Sequence, residues 1–190
     1  MTDTERRPRL TLGHTTMAVQ DLDRMVDFYC DVLGFEVTNR GTVGDTELAF
    51  LCQDPTAHHQ IVFVAGAPTR DHDVVLADHL AFRTDSLDDL RIIGAKLDDA
   101  GIEGVIPIDH GNAWSLYFND PEGYGLECFV DSPFHVAQPY ASRFDLTNDD
   151  EAIAATTRAA IESLPEFGPF DDWRAGFAAR LDRRDARGDG

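Results

Sequence analysis

Three residues of the chain have side chains that suit a mononuclear metal site: His14, His79 and Glu127. Glu127 lies in the strand-like run LECFV, where alternate residues are apolar, and glutamate is rarely buried unless it is paired or bound to a metal. Two neutral imidazoles and one carboxylate leave coordination positions open, as in non-haem Fe(II) centres. A zinc hydrolase with the same ligands would also need a water-activating base.

A weak internal repeat relates the two histidines. The segment that begins at Leu12 can be laid against the segment that begins at Ala77 when His14 is matched to His79. Taken alone, a strand histidine is more often a satisfied polar residue than a ligand, and the repeat raises the odds of a shared role. Matching HQIVFVAG to YGLECFVD through their phenylalanines places Ile61 where Glu127 stands, so we expect three protein ligands and not four.

Each copy of the repeat predicts a strand, a helix and three further strands. Alternating segments (HTTMAV, HLAFRT) open the copies, and apolar residues at helical spacing follow and stop near Gly34 and Gly101. The remaining strand-like runs are FEVTNRG, TELAFLCQ and HQIVFVAG in the first copy, and IEGVIPI, WSLYFND and GLECFVD in the second. The predicted fold is therefore α+β, built from two βαβββ modules.

The end of the chain differs from the repeat, because DDEAIAATTRAAIESL and DDWRAGFAARL favour helices. This tail could cover a cavity mouth, form a subunit contact or simply pack on the modules. The predicted organisation is an N-terminal extension (1–9), module 1 (10–67), a linker (68–76), module 2 (77–131) and a helical C-terminal extension (132–190).

Composition excludes some partners. The formal charge of -19, from 35 acidic against 16 basic residues, disfavours binding to nucleic acid or to an anionic membrane. Small molecules and other subunits are the expected partners, and the absence of a signal-length or membrane-length apolar segment predicts a cytoplasmic location. The three cysteines, Cys30, Cys52 and Cys128, have no CxxC spacing and are expected to be reduced core residues.

The stretch from Ile108 to Glu127 carries the most specific pattern. It resembles the signature of type I extradiol ring-cleavage dioxygenases, which belong with glyoxalase I to the vicinal oxygen chelate superfamily. The opening LGHTTMAV…FYCDVLGFEV is also typical of that superfamily, and the resemblance covers roughly residues 10–131. The matching positions are Ile108, His110, Leu116, Tyr117, Asp120, Pro121, Glu122, Gly123 and Glu127.

The resemblance implies roles for single residues. His14, His79 and Glu127 look like the iron ligands, and His59 looks like the acid-base histidine, with His58 as the alternative. The resemblance also implies which residues contact the substrate. His110 and Tyr117 look like the pair that contacts the catechol oxygens, although a loop histidine and a half-buried strand tyrosine are the ordinary interpretations of such residues. The implied fold is a curved, open, barrel-like mixed sheet.

The implied function is extradiol cleavage of a catecholic substrate by O2 at Fe(II), with Mn(II) as the alternative metal, in aromatic hydrocarbon catabolism. The familiar enzymes of this type have two such domains, so this chain resembles the one-domain members, and a homo-oligomer is expected. A glyoxalase-like isomerase or lyase is an alternative that would normally need a fourth ligand at the position of Ile61. A non-catalytic protein that binds an aromatic ligand is the third.

Overall fold

The computed structural model of the protein describes residues 12–55, 57–66 and 79–187, with side chains as far as residue 179. The predicted N-terminal extension and the predicted linker lie outside the described residues. The predicted α+β fold with two βαβββ modules is confirmed. The described strands of the modules form two separate mixed sheets and no closed barrel.

The first module forms a four-stranded sheet with one helix packed on it. Its elements are β1 (Thr15–Val19), α1 (Leu22–Asp31), β2 (Glu36–Val43), β3 (Thr46–Cys52) and β4 (Ile61–Ala65). The strand order is β1-β4-β3-β2, with β1 and β4 parallel and the other pairs antiparallel. Tyr29 of α1 is fully buried against the edge of the Phe63 ring of β4, at 4.8 Å between centroids, so the helix covers one face of this sheet.

The second module repeats this arrangement and is followed by the tail. Its elements are β5 (His79–Arg83), α2 (Leu87–Asp99), β6 (Ile106–Asp109), β7 (Ala113–Asn119) and β8 (Gly125–Asp131). The tail contains β9 (Phe134–His135), β10 (Ser142–Arg143), α3 (Asp150–Ile161), β11 (Gly168–Pro169) and α4 (Phe170–Arg187). The second sheet has the order β10-β6-β7-β8-β5, with β5 and β8 parallel, and β9 pairs with β11.

Local sequence signals fix both module helices. The Asp21 side chain accepts the backbone N–H of Arg24 at the start of α1, and Ser86 does the same for Asp89 at the start of α2. Gly34 and Gly101 follow the helices with φ of 78° and 70°, a conformation that glycine adopts without a steric penalty. The predicted helix ends are confirmed at both positions.

The chain divides into two compact units. The module unit contains Gly13–Pro107 and Ser115–Val130, and the tail unit contains Ile108–Trp114 together with the chain from Asp131 onward. In the tail unit the predicted helices are confirmed as α3 and α4. All three cysteines are free, as expected. A search of the described residues finds no helix with the length and hydropathy needed to cross a membrane.

Candidate functional site

Glu127, His79 and Tyr117 form one cluster in the module unit. Nε2 of His79 lies 3.1 Å from Oε2 of Glu127. The His79 ring also meets the edge of the Tyr117 ring at 5.2 Å between centroids. Adjacent parallel strands produce this contact, because β5 begins at His79 and pairs with β8, which carries Glu127. The Glu127 residue is only 8% exposed, so its carboxylate is held among these partners instead of water.

The chemistry of the side chains in this cluster determines which atom donates each hydrogen bond and which atom accepts it. A carboxylate can only accept, so His79 donates its Nε2–H to Glu127. Burial raises the pKa of Tyr117 well above its ordinary value, and the Glu127 carboxylate raises it further. Nδ1 of His79 is buried and has no hydrogen-bond partner among the described residues. A metal at Nε2 would require that ring proton to move to Nδ1.

The first module has no carboxylate at the position of Glu127. Two residues beyond His14, Thr16 pairs with Val62, and two residues beyond His79, Ala81 pairs with Glu127. Val62 is therefore the structural equivalent of Glu127. The sequence match placed Ile61 there and was wrong by one residue, because it aligned phenylalanines that lie at different registers of the two sheets. A valine is no more a ligand than an isoleucine, so this position supplies no carboxylate in either alignment.

His14 and His59 form a second cluster in the module unit. His14 is exposed and directly precedes β1, and its ring centroid lies 4.6 Å from that of the half-buried His59. Desolvation lowers the pKa of His59, and the neighbouring His14 and His58 lower it further. Nδ1 of His58 lies 2.9 Å from Nδ1 of His59, while its Nε2 faces the Asn39 side chain at 3.5 Å. His59 is thus the member of the doublet in ring contact with a candidate ligand.

The donor atoms of these clusters suit a divalent metal in part. His79 and Glu127 supply one imidazole and one carboxylate at contact distance, which is the chemistry expected of an Fe(II) or Mn(II) centre. In the part of the chain with described coordinates, no three or more ligating side chains are grouped so as to hold a metal ion. The structure brings together two of the three predicted ligands, and the contribution of His14 stays a prediction.

His110 belongs to the tail unit, at the tip of the β6–β7 hairpin. Its Nδ1 lies 2.9 Å from the backbone carbonyl oxygen of Tyr140. The preceding Asp109 is buried, accepts the Gly111 N–H at 2.7 Å and accepts the Thr157 hydroxyl at 2.7 Å. Burial raises the pKa of Asp109, and these two hydrogen bonds oppose the rise. The sequence reasoning missed these supporting residues, since contacts 30 or 48 positions apart leave no local signal.

The Asp-Pro-Glu-Gly stretch is a turn, as expected, but its two acids do more than shape the turn. Asp120 accepts the backbone N–H groups of Glu122 and Tyr124 at 2.9 and 2.8 Å. Burial raises the pKa of Asp120 to about 6, against these hydrogen bonds. Glu122 accepts the backbone N–H groups of Gln20 at 2.8 Å and of Asp21 at 2.6 Å. The turn of the second module therefore caps the helix of the first.

Known proteins share this arrangement of modules. The chain is 30% identical over 179 residues to biphenyl-2,3-diol 1,2-dioxygenase 2 of Rhodococcus globerulus, which covers 81% of this chain and 91% of the relative. A probable lactoylglutathione lyase of Synechocystis is 28% identical over 123 residues, 61% of this chain and 92% of the relative. A crystal structure of a glyoxylase/bleomycin resistance protein/dioxygenase domain from Frankia superposes with a TM-score of 0.57 at 25% identity, over 66% of this chain and 100% of the other.

A family model gives the most general result. The model of the Glyoxalase/Bleomycin resistance protein/Dioxygenase superfamily matches residues 11–128, which include both βαβββ modules up to the strand that carries Glu127. The residues matched by the family model, the repeated βαβββ module and the similarity to a dioxygenase all indicate the same superfamily. This chain belongs to the Glyoxalase/Bleomycin resistance protein/Dioxygenase superfamily.

Proposed function

We propose that the protein is an extradiol dioxygenase that cleaves a catecholic ring with O2 at a mononuclear Fe(II) or Mn(II) centre. The observation that carries the proposal is the cluster in which the buried Glu127 accepts a hydrogen bond from His79, whose ring also contacts Tyr117. A carboxylate, an imidazole and a phenol in mutual contact combine two metal-ligand types with a group that can hold a substrate oxygen. The similarity to biphenyl-2,3-diol 1,2-dioxygenase 2 supports the same substrate class.

In this proposal His14, His79 and Glu127 hold the metal. A metal held by these residues would bind the catechol and O2 together and so join the two reactants electronically. Three protein ligands suffice for this, and Val62 at the position equivalent to Glu127 adds no fourth. The shielding of Glu127 from water favours a fixed carboxylate orientation.

The remaining predicted residues handle protons and orientation. The Tyr117 O–H can donate a hydrogen bond to a deprotonated catechol oxygen. His59 is the proposed acid-base residue, because it is the histidine of the doublet that lies against His14. His110 is the proposed second contact to the catechol oxygens.

The test is anaerobic reconstitution with Fe(II) or Mn(II), followed by a panel of monocyclic and biphenyl-type catechols with O2 uptake recorded. We expect yellow ring-fission products and one O2 consumed per catechol. Glu127→Gln should lose metal and activity, and Glu47→Gln, at an exposed position of β3, should keep both. Turnover of a hemithioacetal without O2 would indicate the isomerase alternative, and catechol binding without O2 uptake by the iron-loaded protein would indicate a binding module.

A further inference from the structure

The segment that follows β8 surrounds the tip of the hairpin that carries His110. The Ser132 backbone N–H donates to the Asn112 carbonyl at 3.0 Å, and the Ser132 hydroxyl donates to the Gly111 carbonyl. Further along, Nε2 of Gln138 donates to the His110 carbonyl at 2.7 Å. Three successive carbonyl groups of the hairpin tip are therefore held by the tail. The tip itself is closed by a hydrogen bond from the His110 N–H to Ala113 O at 2.8 Å, a partner within the hairpin.

The Gln138 amide joins His110 to the residue that binds its ring. Its Oε1 accepts the Tyr140 backbone N–H at 3.0 Å, while its Nε2 donates to the His110 carbonyl at 2.7 Å. The orientation of the amide is fixed, because a backbone N–H can only donate and a carbonyl can only accept. One side chain thus sets the spacing between His110 and Tyr140, whose carbonyl oxygen lies 2.9 Å from Nδ1 of the His110 ring.

That contact determines the tautomer of the neutral ring. A carbonyl oxygen has no proton to give, so Nδ1 of His110 must carry the hydrogen. The lone pair of the neutral ring then lies on Nε2. A ring in this tautomer can accept a proton at Nε2, whereas the opposite tautomer could only donate from that atom.

We infer that Gln138 is a positioning residue that holds His110 in the Nδ1–H tautomer, so that Nε2 is the acceptor atom of the ring when His110 contacts a catechol hydroxyl. The catalytic consequence rests on the proposed function, but the tautomer itself does not. The C-terminal extension would then position His110, since Gln138 and Tyr140 both belong to this extension.

The tautomer can be measured directly in the full-length, metal-free chain with 15N-labelled histidine. Long-range 1H–15N correlation spectra would be recorded about two pH units above the ordinary histidine pKa, where the rings are neutral. His110 signals are identified by their loss in His110→Gln. We expect the wild-type ring to carry its proton on Nδ1. A wild-type ring protonated on Nε2 would overturn the inference before any variant of Gln138 is made.

Gln138→Glu tests the positioning role. This variant keeps an acceptor for the Tyr140 N–H but replaces the donor to the His110 carbonyl with a repelling carboxylate. We expect the Nδ1–H preference of His110 to be lost, with the backbone amide spectrum otherwise retained. Gln53→Glu is the matched control, because the Gln53 amide also donates to a backbone carbonyl, that of Leu33, but in the module unit. If Gln138→Glu fails to fold, Gln138→Met removes the hydrogen bonds of this side chain to His110, Asn112 and Tyr140 without adding charge.

Activity separates this inference from the proposed function. In the iron-loaded enzyme, Gln138→Glu should lower kcat by about tenfold, because a misplacement of about 1 Å in a substrate contact can cost up to about 10²-fold. Gln53→Glu should leave kcat unchanged. A wild-type protein with the Nδ1–H tautomer but no ring cleavage would contradict the proposed function alone. An Nδ1–H tautomer that persists in Gln138→Glu would contradict the role of Gln138 alone.

Discussion

The carboxylate of Glu122 accepts the backbone N–H of Asp21 at 2.6 Å, although the two residues are 101 positions apart. The same carboxylate accepts the Gln20 N–H at 2.8 Å, so it satisfies two donors that the start of α1 would otherwise expose to water. A negative charge at this end of a helix also interacts favourably with the helix dipole. Glu122 therefore connects the signature turn of module 2 to the helix of module 1.

Replacing Glu122 should lower the free energy of unfolding. Glu122→Ala removes the acceptor of both hydrogen bonds, and we expect a loss of about 1–2 kcal/mol, as for other helix caps. Glu122→Gln keeps one oxygen acceptor and should lose less. Urea unfolding provides the measurement, with Glu103→Ala, at an exposed loop position, as the control. Equal stability of Glu122→Ala and Glu103→Ala would contradict the capping role.

Asp120 should make stability depend on pH. Its pKa is raised by burial to about 6 in the folded protein, from an ordinary value of 3.8. Between these values the folded state binds more protons than the unfolded state, so the free energy of unfolding falls as pH rises from about 4 to about 6. A shift of about two units corresponds to about 3 kcal/mol. The favourable contribution is fully present below pH 4, where both states are protonated.

Asp120→Asn isolates this effect. The asparagine oxygen can still accept the N–H groups of Glu122 and Tyr124, while the ionisation is removed. The difference in unfolding free energy, wild type minus variant, should decrease between pH 4 and pH 7. Chemical unfolding at several pH values checks this. A difference that increases with pH would mean that the Asp120 pKa is lowered in the folded state.

Gly111 has two separate reasons to be glycine. Its φ is 76°, and a Cβ atom there would lie 2.6 Å from Cγ1 of Val136. Gly104 has a φ of 75° but no atom within 4 Å of the same Cβ position, so it provides a matched control. We expect Gly104→Ala to lose about 1–2 kcal/mol from backbone strain alone, and Gly111→Ala to lose about 1–3 kcal/mol more from overpacking. Thermal or urea unfolding of the two variants separates backbone strain from overpacking. In the double variant Gly111→Ala with Val136→Ala, only the stability lost to overpacking should be regained.

Thr157 joins α3 to the His110 hairpin through a buried hydroxyl. It accepts the Trp114 Nε1–H at 2.8 Å and donates to Asp109 at 2.7 Å. Thr157→Val keeps the shape and leaves a buried donor and a buried acceptor without this partner, so we expect a loss of about 2–3 kcal/mol. The exposed neighbour supplies the control, since Thr156→Val removes a hydroxyl from the same helix at an exposed position. Indistinguishable urea midpoints for the two variants would refute this role.

Tyr117→Phe tests the proposed catalytic site. The variant keeps the ring packed on His79 but removes the O–H group. If Tyr117 holds a substrate oxygen, kcat should fall about 10²-fold or more, as when one preorganised hydrogen-bond donor is removed. Metal content should stay near the wild-type value, because Tyr117 is not among the predicted ligands. Metal analysis with steady-state kinetics provides the measurement, and an unchanged kcat would contradict the assignment.

Much of the architecture follows from short-range patterns in the sequence. Period-two alternation predicts β1 and β5, and helical spacing closed by Gly34 and Gly101 predicts α1 and α2, because strand and helix periods are local properties of the chain. The repeat then implies that the two modules are alike. Internal symmetry also identified His14 and His79 as equivalent, since a repeated unit places corresponding residues at corresponding points of its sheet.

Register and long-range contacts were decided only by the tertiary structure. Sequence matching chose Ile61 as the equivalent of Glu127, while the pairing of Thr16 with Val62 shifts the equivalence by one residue. A shift of one residue turns a strand side chain to the other face of its sheet, and hydrophobic residues on both faces of β4 hide the difference from sequence alone.

The same limit applies to the candidate site. The sequence determined that His110, Tyr117 and Glu127 belong to one signature, because their spacing along the chain is fixed, and the repeat added His79. Only the folded structure pairs His79 with Glu127 across parallel strands and encloses His110 between Gln138 and Tyr140. Hydrogen bonds between residues 28 or 48 positions apart depend on how strands and helices pack, and no periodicity of the sequence encodes that packing.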